Sequence, residues 1–195
     1  MKKYFSNWIS LLQRETRGAE SILDLGCGNN SPVQFLPIPQ KVGVDAYAPY
    51  IENKSIHSQY ILDDIRTVRF PRKSFDIVLA SEVIEHLEKY EGLLLLDRIE
   101  EFASKKVIVT TPNGFVQQES FDGNGKQEHK SGWTVSDFRQ RGYRVYGMSG
   151  CKCFRNKHGK LLFHNYPYVL MADVSQVVCR YFPSVAFQLF AVKNI

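Results

Sequence analysis

The stretch from Ser21 to Asn30 constrains the fold more than any other part of the chain; it reads Ser-Ile-Leu-Asp-Leu-Gly-Cys-Gly-Asn-Asn. Its apolar first half predicts a short buried strand, and Gly26 and Gly28 predict a tight turn after that strand. Glycine suits such a turn because it accepts positive φ and lets a ligand approach the backbone closely. A strand that enters a glycine turn and then a helix begins a nucleotide-binding α/β unit.

Asp24 indicates which kind of ligand this turn can bind. A dinucleotide site holds a pyrophosphate on the turn and on the N-terminus of the next helix, where a carboxylate would repel it. Ser31 also stands where the pattern Gly-x-Gly-x-x-Gly requires its third glycine. Both residues disfavour a nicotinamide-dependent oxidoreductase, and an acid beside the turn suits a cationic ligand.

The Asp-Leu-Gly-Cys-Gly sequence at positions 24–28 resembles motif I of the class I S-adenosylmethionine-dependent methyltransferases. The resemblance implies that Asp24 lies near the methionyl end of S-adenosylmethionine, with Gly26, Cys27 and Gly28 behind this cofactor. It further implies an α/β, Rossmann-like fold. In that fold a mostly parallel seven-stranded sheet has an antiparallel last strand, and helices cover both faces.

Acidic residues also end the next two predicted strands, Lys41–Asp45 and Ser58–Leu62. Asp45 follows Asp24 by about 20 residues, the spacing that puts an acid near a ribose in a βαβ unit, although it could instead cap a helix. The run after the third strand resembles the family's segment that begins with an adenine-binding acid, which favours Asp64 over Asp63. Ala46, which follows Asp45, and Ile65, which follows Asp64, are also predicted to bind the cofactor.

The segment after the fourth predicted strand, Phe75–Ala80, reads Ser81-Glu82-Val83-Ile84-Glu85-His86-Leu87. It resembles the corresponding stretch of small-molecule methyltransferases of the ubiquinone-biosynthesis type, where the backbone of the first three residues lines the cofactor cleft. We interpret His86 as a packed structural residue rather than a base. The chain lacks the Asn/Asp-Pro-Pro-aromatic motif of amino-methylating DNA enzymes and the Pro-Cys nucleophile of cytosine-C5 methyltransferases. Both absences weigh against base methylation.

Apolar spacing predicts helices over Tyr4–Arg17 and Glu91–Ala103. A fifth strand is predicted at Lys106–Thr110, and a long polar loop then runs to Trp133, where Thr134 opens a capped helix. In this loop His129 is the candidate catalytic or substrate-positioning residue, because histidine titrates near neutrality; alternatively it only hydrogen-bonds the loop. Trp133 either walls the acceptor pocket or packs as a hydrophobic staple.

The last part of the chain predicts strands at Tyr143–Met148 and Val185–Val192. Residues 149–184 lie between them, where the family usually has a brief connection. We expect an insertion with a helix near Met171–Tyr181, which either lies over the mouth of the cleft or packs on the edge of the sheet. No repeat or linker divides the chain, so residues 1–195 are expected to form a single methyltransferase domain.

Composition limits the function further. The 195 residues carry a net charge of +5 with Lys and Arg scattered, so nucleic acid is not indicated as a partner. Of the four cysteines only Cys151 and Cys153 are close in sequence, and no second pair lies at a spacing that suits a metal site. We therefore expect no metal, free thiols and a reducing, cytoplasmic location. The apolar run Leu161–Val192 is interrupted by charges and proline, which argues against a transmembrane helix.

The sequence therefore predicts an enzyme, an S-adenosylmethionine-dependent methyltransferase that acts on a small-molecule acceptor. An RNA methyltransferase, a non-catalytic S-adenosylmethionine-binding protein and, last, a nicotinamide-dependent oxidoreductase stay open as alternatives. Neither the acceptor nor the oligomeric state follows from the sequence.

Overall fold

The computed structural model describes residues 8–52, 54–120 and 123–195. One sheet of seven strands organises this part of the chain. The strands, in chain order, are β1 Ser21–Leu25, β2 Gln40–Asp45, β3 Gln59–Leu62, β4 Phe75–Ser81, β5 Ala103–Pro112, β6 Arg144–Cys151 and β7 Ala186–Asn194. Their spatial order is β3-β2-β1-β4-β5-β7-β6. Strands β1 to β5 pair in parallel, and β7 enters antiparallel between β5 and β6.

Helices flank this sheet. They are α1 Trp8–Glu15, α2 Ala48–Ile51, α3 Lys89–Phe102, α4 Val135–Arg139 and α5 Tyr166–Tyr181. Short 3₁₀ turns complete the connections, including Pro32–Phe35 after the glycine turn and Ile84–His86 after β4. Part of the predicted N-terminal helix, residues 4–7, lies outside the described residues.

The sheet carries a separate apolar core on each face. On one face α3 and α4 pack over the strands through residues such as Leu96, Ile99 and Phe138. On the other face α1 and the 3₁₀ turn contribute Leu12 and Val33. Burial on both faces explains why the central strands are almost continuously apolar, as parallel strands require. The predicted fold class is confirmed.

Helix α5 begins five residues before the predicted start at Met171. Asn165 caps it by accepting a hydrogen bond from the backbone N–H of Tyr168 at 3.1 Å, and proline occupies its first turn. The helix lies directly on β6. A Cβ at Gly147 would come within 2.0 Å of the Cys179 carbonyl oxygen, so only glycine permits this contact.

The structure also bears on the predicted absence of a transmembrane segment. Within the described ranges, every helix is too short or too polar to cross a bilayer.

Candidate active site

The turn after β1 bends towards β2. The backbone N–H groups of Gly26 and Cys27 both donate to the Val44 carbonyl, at 2.8 and 3.0 Å. Gly26 and Gly28 have φ of +66° and +56°, the left-handed region that favours glycine. A Cβ at Gly26 would lie 2.5 Å from the side chain of Val83, so the turn after β1 and the segment after β4 touch here. This contact needs the glycine that the motif supplies.

Asp45 ends β2 and holds the glycine turn from the side. Its carboxylate accepts hydrogen bonds from the backbone N–H groups of Gly28 and Tyr47, both at 2.9 Å. Two backbone donors fix the orientation of the carboxylate before any ligand is present, and each carboxylate oxygen keeps a further lone pair. Asp45 is therefore preorganised to accept additional hydrogen bonds.

Asp64 lies after β3 in an ion-pair cluster. The guanidinium of Arg66 contacts its carboxylate at 2.8 Å and also reaches Glu91, and the Lys126 ammonium reaches Asp64 at 2.8 Å. The hydrogen bond from Arg66 holds the pKa of Asp64 well below its usual range, and Lys126 adds to this effect. An adenine amino group would share this carboxylate with two cations.

Glu82 follows β4 in a strained conformation, with φ of +55°. Its carboxylate accepts hydrogen bonds from Thr110 at 2.9 Å and from Gln188 at 2.7 Å, so β5 and β7 together hold it. Burial raises the pKa of Glu82, and these two hydrogen bonds oppose that shift. Strain of this kind persists only where surrounding contacts over-determine the backbone.

These elements surround one cavity at the carboxyl ends of β1 to β4, where open parallel sheets bind ligands. The residues that line it are Gly26, Gly28, Asp45, Ala46, Asp64, Ile65, Arg66, Glu82, Val83, His86, Leu87, Glu91, Asn124, Gly125, Lys126, Gln127 and Lys130. Eight predicted cofactor residues are among them. The tertiary structure thus brings these eight residues together, although the first and the last of them, Gly26 and Val83, are 57 residues apart in the chain.

Three predicted cofactor residues lie outside this lining. Asp24 is buried and accepts a hydrogen bond from Ser31 at 2.5 Å, and it contacts His57 Nε2 at 2.8 Å. Cys27 is also buried, and burial raises the pKa of its thiol. Ser81 pairs through its hydroxyl with the hydroxyl of Thr110. These side chains support the turn and the end of β4 from behind.

The long loop after β5 closes one side of the cavity. Its residues 124–127 and Lys130 belong to the lining, although the sequence indicated only that the loop is long. The N–H groups of Lys130 and Ser131 donate to the Glu85 carbonyl, at 2.8 and 3.1 Å, and tie the loop to the segment after β4. No periodic or local signal predicts which loop residues face the cavity, because these are long-range contacts.

Trp133 ends this loop in the apolar core rather than in a pocket wall. It is fully buried, its indole N–H contacts the Ser131 hydroxyl at 3.0 Å, and its ring lies 5.6 Å from that of Phe138. Thr134 and Asp137 form the predicted capping box of α4. Of the two interpretations of Trp133, packing before the cap fits the structure.

His129 lies behind His86 rather than at the cavity surface. The two rings are 4.8 Å apart, and His86, interpreted as structural from the sequence, is the one that lines the cavity. Nδ1 of His129 lies 2.7 Å from the Val116 carbonyl, so this nitrogen carries the proton and Nε2 keeps its lone pair in the neutral ring. Burial lowers the pKa of both histidines, which favours their neutral forms.

Glu85 completes a cluster with these two histidines that the sequence did not reveal. One ligand-type atom from each residue lies within 4.8 Å of the others. The Glu85 carboxyl is buried, with Oε2 accepting from Thr111 and Oε1 lacking a partner among the described residues. Although the spacing of the cysteines led to the expectation of no metal, this set could hold a divalent cation.

The sequence and the fold were compared with known proteins. Residues 23–114, just under half of the chain, match the family model described as "Methyltransferase domain". This match covers β1 to β5 and the segments that carry Asp24, Asp45, Asp64 and Glu82. The chain matches no curated protein sequence.

Several solved methyltransferases share the fold. A SAM-dependent methyltransferase from Archaeoglobus fulgidus is 16% identical with a TM-score of 0.59, over 96% of this chain and 94% of that one. The plantazolicin methyltransferase BpumL, in complex with a pentazolic desmethylPZN analog and SAH, is 17% identical with a TM-score of 0.59, over 99% and 86%. The methyltransferase domain of bacterial CtHen1 is 19% identical with a TM-score of 0.57, over 96% and 97%.

The chain shares the fold of solved methyltransferases, and residues 23–114 match the sequence model of a methyltransferase domain. Both findings agree with the predicted methyltransferase enzyme, and several of the similar structures are described as SAM-dependent or as complexes with SAH. The acceptor and the roles of individual residues are matters for proposal.

Proposed function

We propose that this chain transfers the methyl group of S-adenosylmethionine to a small-molecule acceptor at the cavity described above. The observation that carries the proposal is the convergence of eight predicted cofactor residues on one cavity at the carboxyl edge of the sheet. S-adenosylmethionine, when bound, supplies a methyl group that its sulfonium already activates. We also propose that residues 1–195 form one methyltransferase domain, with 149–184 as an insertion.

The residues present fit this cofactor. Asp45 offers a preoriented carboxylate for a ribose diol, and Gly28 leaves open backbone beside it, since a Cβ there would meet nothing within 4 Å. Asp64 and the backbone at Ile65 suit an adenine, which has both a donor and acceptors at its edge. No phosphate has to be accommodated, which agrees with the acids around the turn.

Asp24 supports the site indirectly in this proposal. Its carboxylate is already bonded to Ser31 and His57, so it fixes the turn that faces the methionyl end. Cys27 and Ser81 act in the same way, as backing for the cofactor-binding backbone. Glu82 and Val83 line the cavity beside this turn, and an acid at that position suits a cationic sulfonium better than an anion.

Most of the rate comes from alignment of the acceptor with the donor methyl. Holding reactants in line can contribute about 7–11 kcal/mol, whereas a general base adds about 10²–10⁴-fold. We assign the base role to His129, whose free Nε2 and lowered pKa keep it able to accept a proton near neutral pH. His86 lies between it and the cavity, so proton transfer from the acceptor would pass this ring or a water beside it.

Isothermal titration calorimetry on the purified protein tests the proposal. S-adenosylmethionine and S-adenosylhomocysteine should bind with micromolar affinity, and NAD should not bind. A screen of small biosynthetic intermediates for consumption of the methyl donor then identifies the acceptor class. Tight NAD binding together with no response to either sulfur nucleoside would overturn the assignment of the cavity.

A further inference from the structure

Helix α5 turns Ser175 and Gln176 towards the sheet. Gln176 accepts a hydrogen bond from the Gly150 N–H at 2.7 Å and donates one to the Gly147 carbonyl at 3.1 Å. The Ser175 hydroxyl accepts a hydrogen bond from the Cys151 N–H at 2.8 Å. These contacts satisfy backbone groups of β6 and its end, so the polar side of the helix is used internally.

The opposite side of α5 is apolar and exposed. Its side chains are between 48% and 79% exposed and follow helical spacing: Tyr166, Leu170, Met171, Val174, Val177 and Val178. Tyr181 extends the row at 71% exposed. An amphipathic helix of a globular protein ordinarily shows the reverse arrangement, with its apolar stripe facing the core. We call these seven residues the α5 surface.

The helix cannot turn this surface inward. Gly147 lies under the Cys179 carbonyl, and a Cβ at Gly150 would lie 2.6 Å from the Ala172 carbonyl. Backbone contacts this close fix the rotation of the helix about its axis. Two more exposed apolar residues, Phe163 and Phe182, flank it at 59% and 64% exposed. A contiguous apolar patch of this kind marks an interaction site.

Most of the net positive charge of the chain lies in the same insertion. Residues 149–184 contain five Lys or Arg and a single acid, Asp173, for a net charge of +4 out of +5 for the whole chain. Lys152, Lys157 and Lys160 are exposed in the segment just before the helix. We call residues 152–160 the basic segment. An apolar surface beside concentrated positive charge complements an anionic surface that also has an apolar interior.

We propose that the α5 surface and the basic segment dock this protein on the surface of an anionic lipid bilayer. Amphipathic helices of this kind lie in the interface, with the apolar side buried to the headgroup boundary and cations against anionic lipids. Tyr166 and Tyr181 belong to the same exposed side, and the amphipathic rings of tyrosine favour the membrane–water interface. A second copy of the chain fits this surface less well. A two-fold dimer contact would bring two copies of residues 149–184, each with a net charge of +4, against each other.

The docking surface adjoins the edge of the sheet where the cavity opens. Strand β6 runs parallel to β1–β5, so the basic segment leaves the sheet at this carboxyl edge. It contacts the loop that closes the cavity, since His158 Nδ1 lies 3.3 Å from the Gln117 carbonyl. Docking would therefore bring the catalytic edge close to the lipid headgroups.

Vesicle flotation with the full chain tests the inference. The probes are phosphatidylcholine vesicles with and without 30% phosphatidylglycerol, a proportion of roughly one anionic lipid in three chosen to give a strong negative surface potential. The wild-type protein should float with the anionic vesicles. With the neutral vesicles it should remain at the bottom of the gradient. The double variant Val174→Glu/Val177→Glu should lower partition into the anionic vesicles at least about tenfold.

Two further variants make the test specific. Lys157→Glu/Lys160→Glu should also lower partition about tenfold or more, and added salt should remove the difference from wild type. Leu94→Glu, at an exposed position of α3, is the matched control and should float like wild type. Near-ultraviolet circular dichroism confirms that every variant is folded.

Three results would overturn the proposal. The first is a folded wild-type protein that ignores anionic vesicles. The second is equal flotation of wild type and Val174→Glu/Val177→Glu. The third is a concentration-dependent dimer in vesicle-free solution that this double variant abolishes, without vesicle binding, which would assign the surface to a second copy.

Discussion

At the scale of single residues, Asp45 joins the glycine turn to the predicted ribose site. Asp45→Ala should weaken S-adenosylmethionine binding at least about a hundredfold. It removes two charged hydrogen bonds to the ribose, each worth about 1.5–3 kcal/mol, and it also frees the Gly28 N–H. Asp45→Asn keeps one acceptor oxygen, so its affinity for S-adenosylmethionine should lie between those of wild type and Asp45→Ala. Calorimetry measures all three affinities.

Asp76 provides the matched control for this change. It is also an aspartate that accepts a backbone N–H, from Glu20 at 2.8 Å, but it lies at the amino end of β4, away from the cavity. Asp76→Ala should leave cofactor affinity as in wild type. A folded Asp45→Ala protein with wild-type affinity would contradict the assignment of this acid to the cofactor.

His129 is the residue whose role depends most on chemistry still to be identified. His129→Ala should lower turnover at least about tenfold and leave S-adenosylmethionine affinity intact, because its ring lies behind the cavity wall. Turnover is measured with the acceptor found by the screen, and the control is His164→Ala, at an exposed histidine just before α5.

Chelation distinguishes the two chemical roles open to His129. A general base works equally well after treatment with EDTA, whereas a cation ligand in the cluster with Glu85 and His86 loses turnover that added Mg²⁺ or Mn²⁺ restores. We expect resistance to EDTA. Unchanged turnover in His129→Ala would assign this histidine to packing and leave alignment as the whole mechanism.

At the scale of elements, the start of α3 is fitted closely to the end of the loop after β5. A Cβ at Gly92 would lie 2.4 Å from the Trp133 ring, which is fully buried. Gly92→Ala should therefore destabilise the protein by about 1–2 kcal/mol. Overpacking costs about 1–3 kcal/mol, and the gain in helix propensity offsets up to about 1 kcal/mol of it. Urea unfolding measures the change.

Gly125→Ala is the control for the packing argument, since nothing lies within 4 Å of a Cβ placed there. It should change the free energy of unfolding by no more than about 0.5 kcal/mol, as surface substitutions usually do. If Gly92→Ala were as stable as wild type or more stable, Trp133 would have to move aside freely. That result would contradict the close packing of α3 against the loop.

At the scale of the whole molecule, Glu85 couples stability to pH. Burial raises the pKa of this carboxyl well above its usual value, and the neighbouring Glu82 adds to the shift. The folded protein therefore holds a proton that the unfolded chain releases once pH exceeds the ordinary glutamate pKa. Stability from this group is present at low pH and is lost as pH rises towards the raised pKa.

Glu85→Gln should remove this part of the pH dependence, because an amide keeps the shape without a proton to lose. Urea midpoints measured from about pH 5 to 9 should fall with pH in wild type and less steeply in the variant. Glu101→Gln, at an exposed position of α3, should follow wild type. Parallel curves for wild type and Glu85→Gln would show that this carboxyl is charged in the folded state.

Much of the architecture could be predicted from the sequence because its signals are local. Alternating or continuous apolar runs locate all seven strands, and the glycine turn and the acids that end strands β1 to β3 indicate the cofactor edge. Parallel pairing then brings those acids to one side of the sheet. The boundaries differ by a few residues where caps decide them, as Asn165 does for α5.

Only the tertiary structure decided which side chains face the cavity and which faces of the helices remain open. His86 lines the cavity and His129 stands behind it, which spacing along the chain does not determine because the loop folds back over many residues. The sequence predicts a helix near Met171–Tyr181, but it does not determine which side of that helix faces the sheet. The glycines of β6 and the hydrogen bonds of Gln176 set its rotation, and they leave the apolar side exposed.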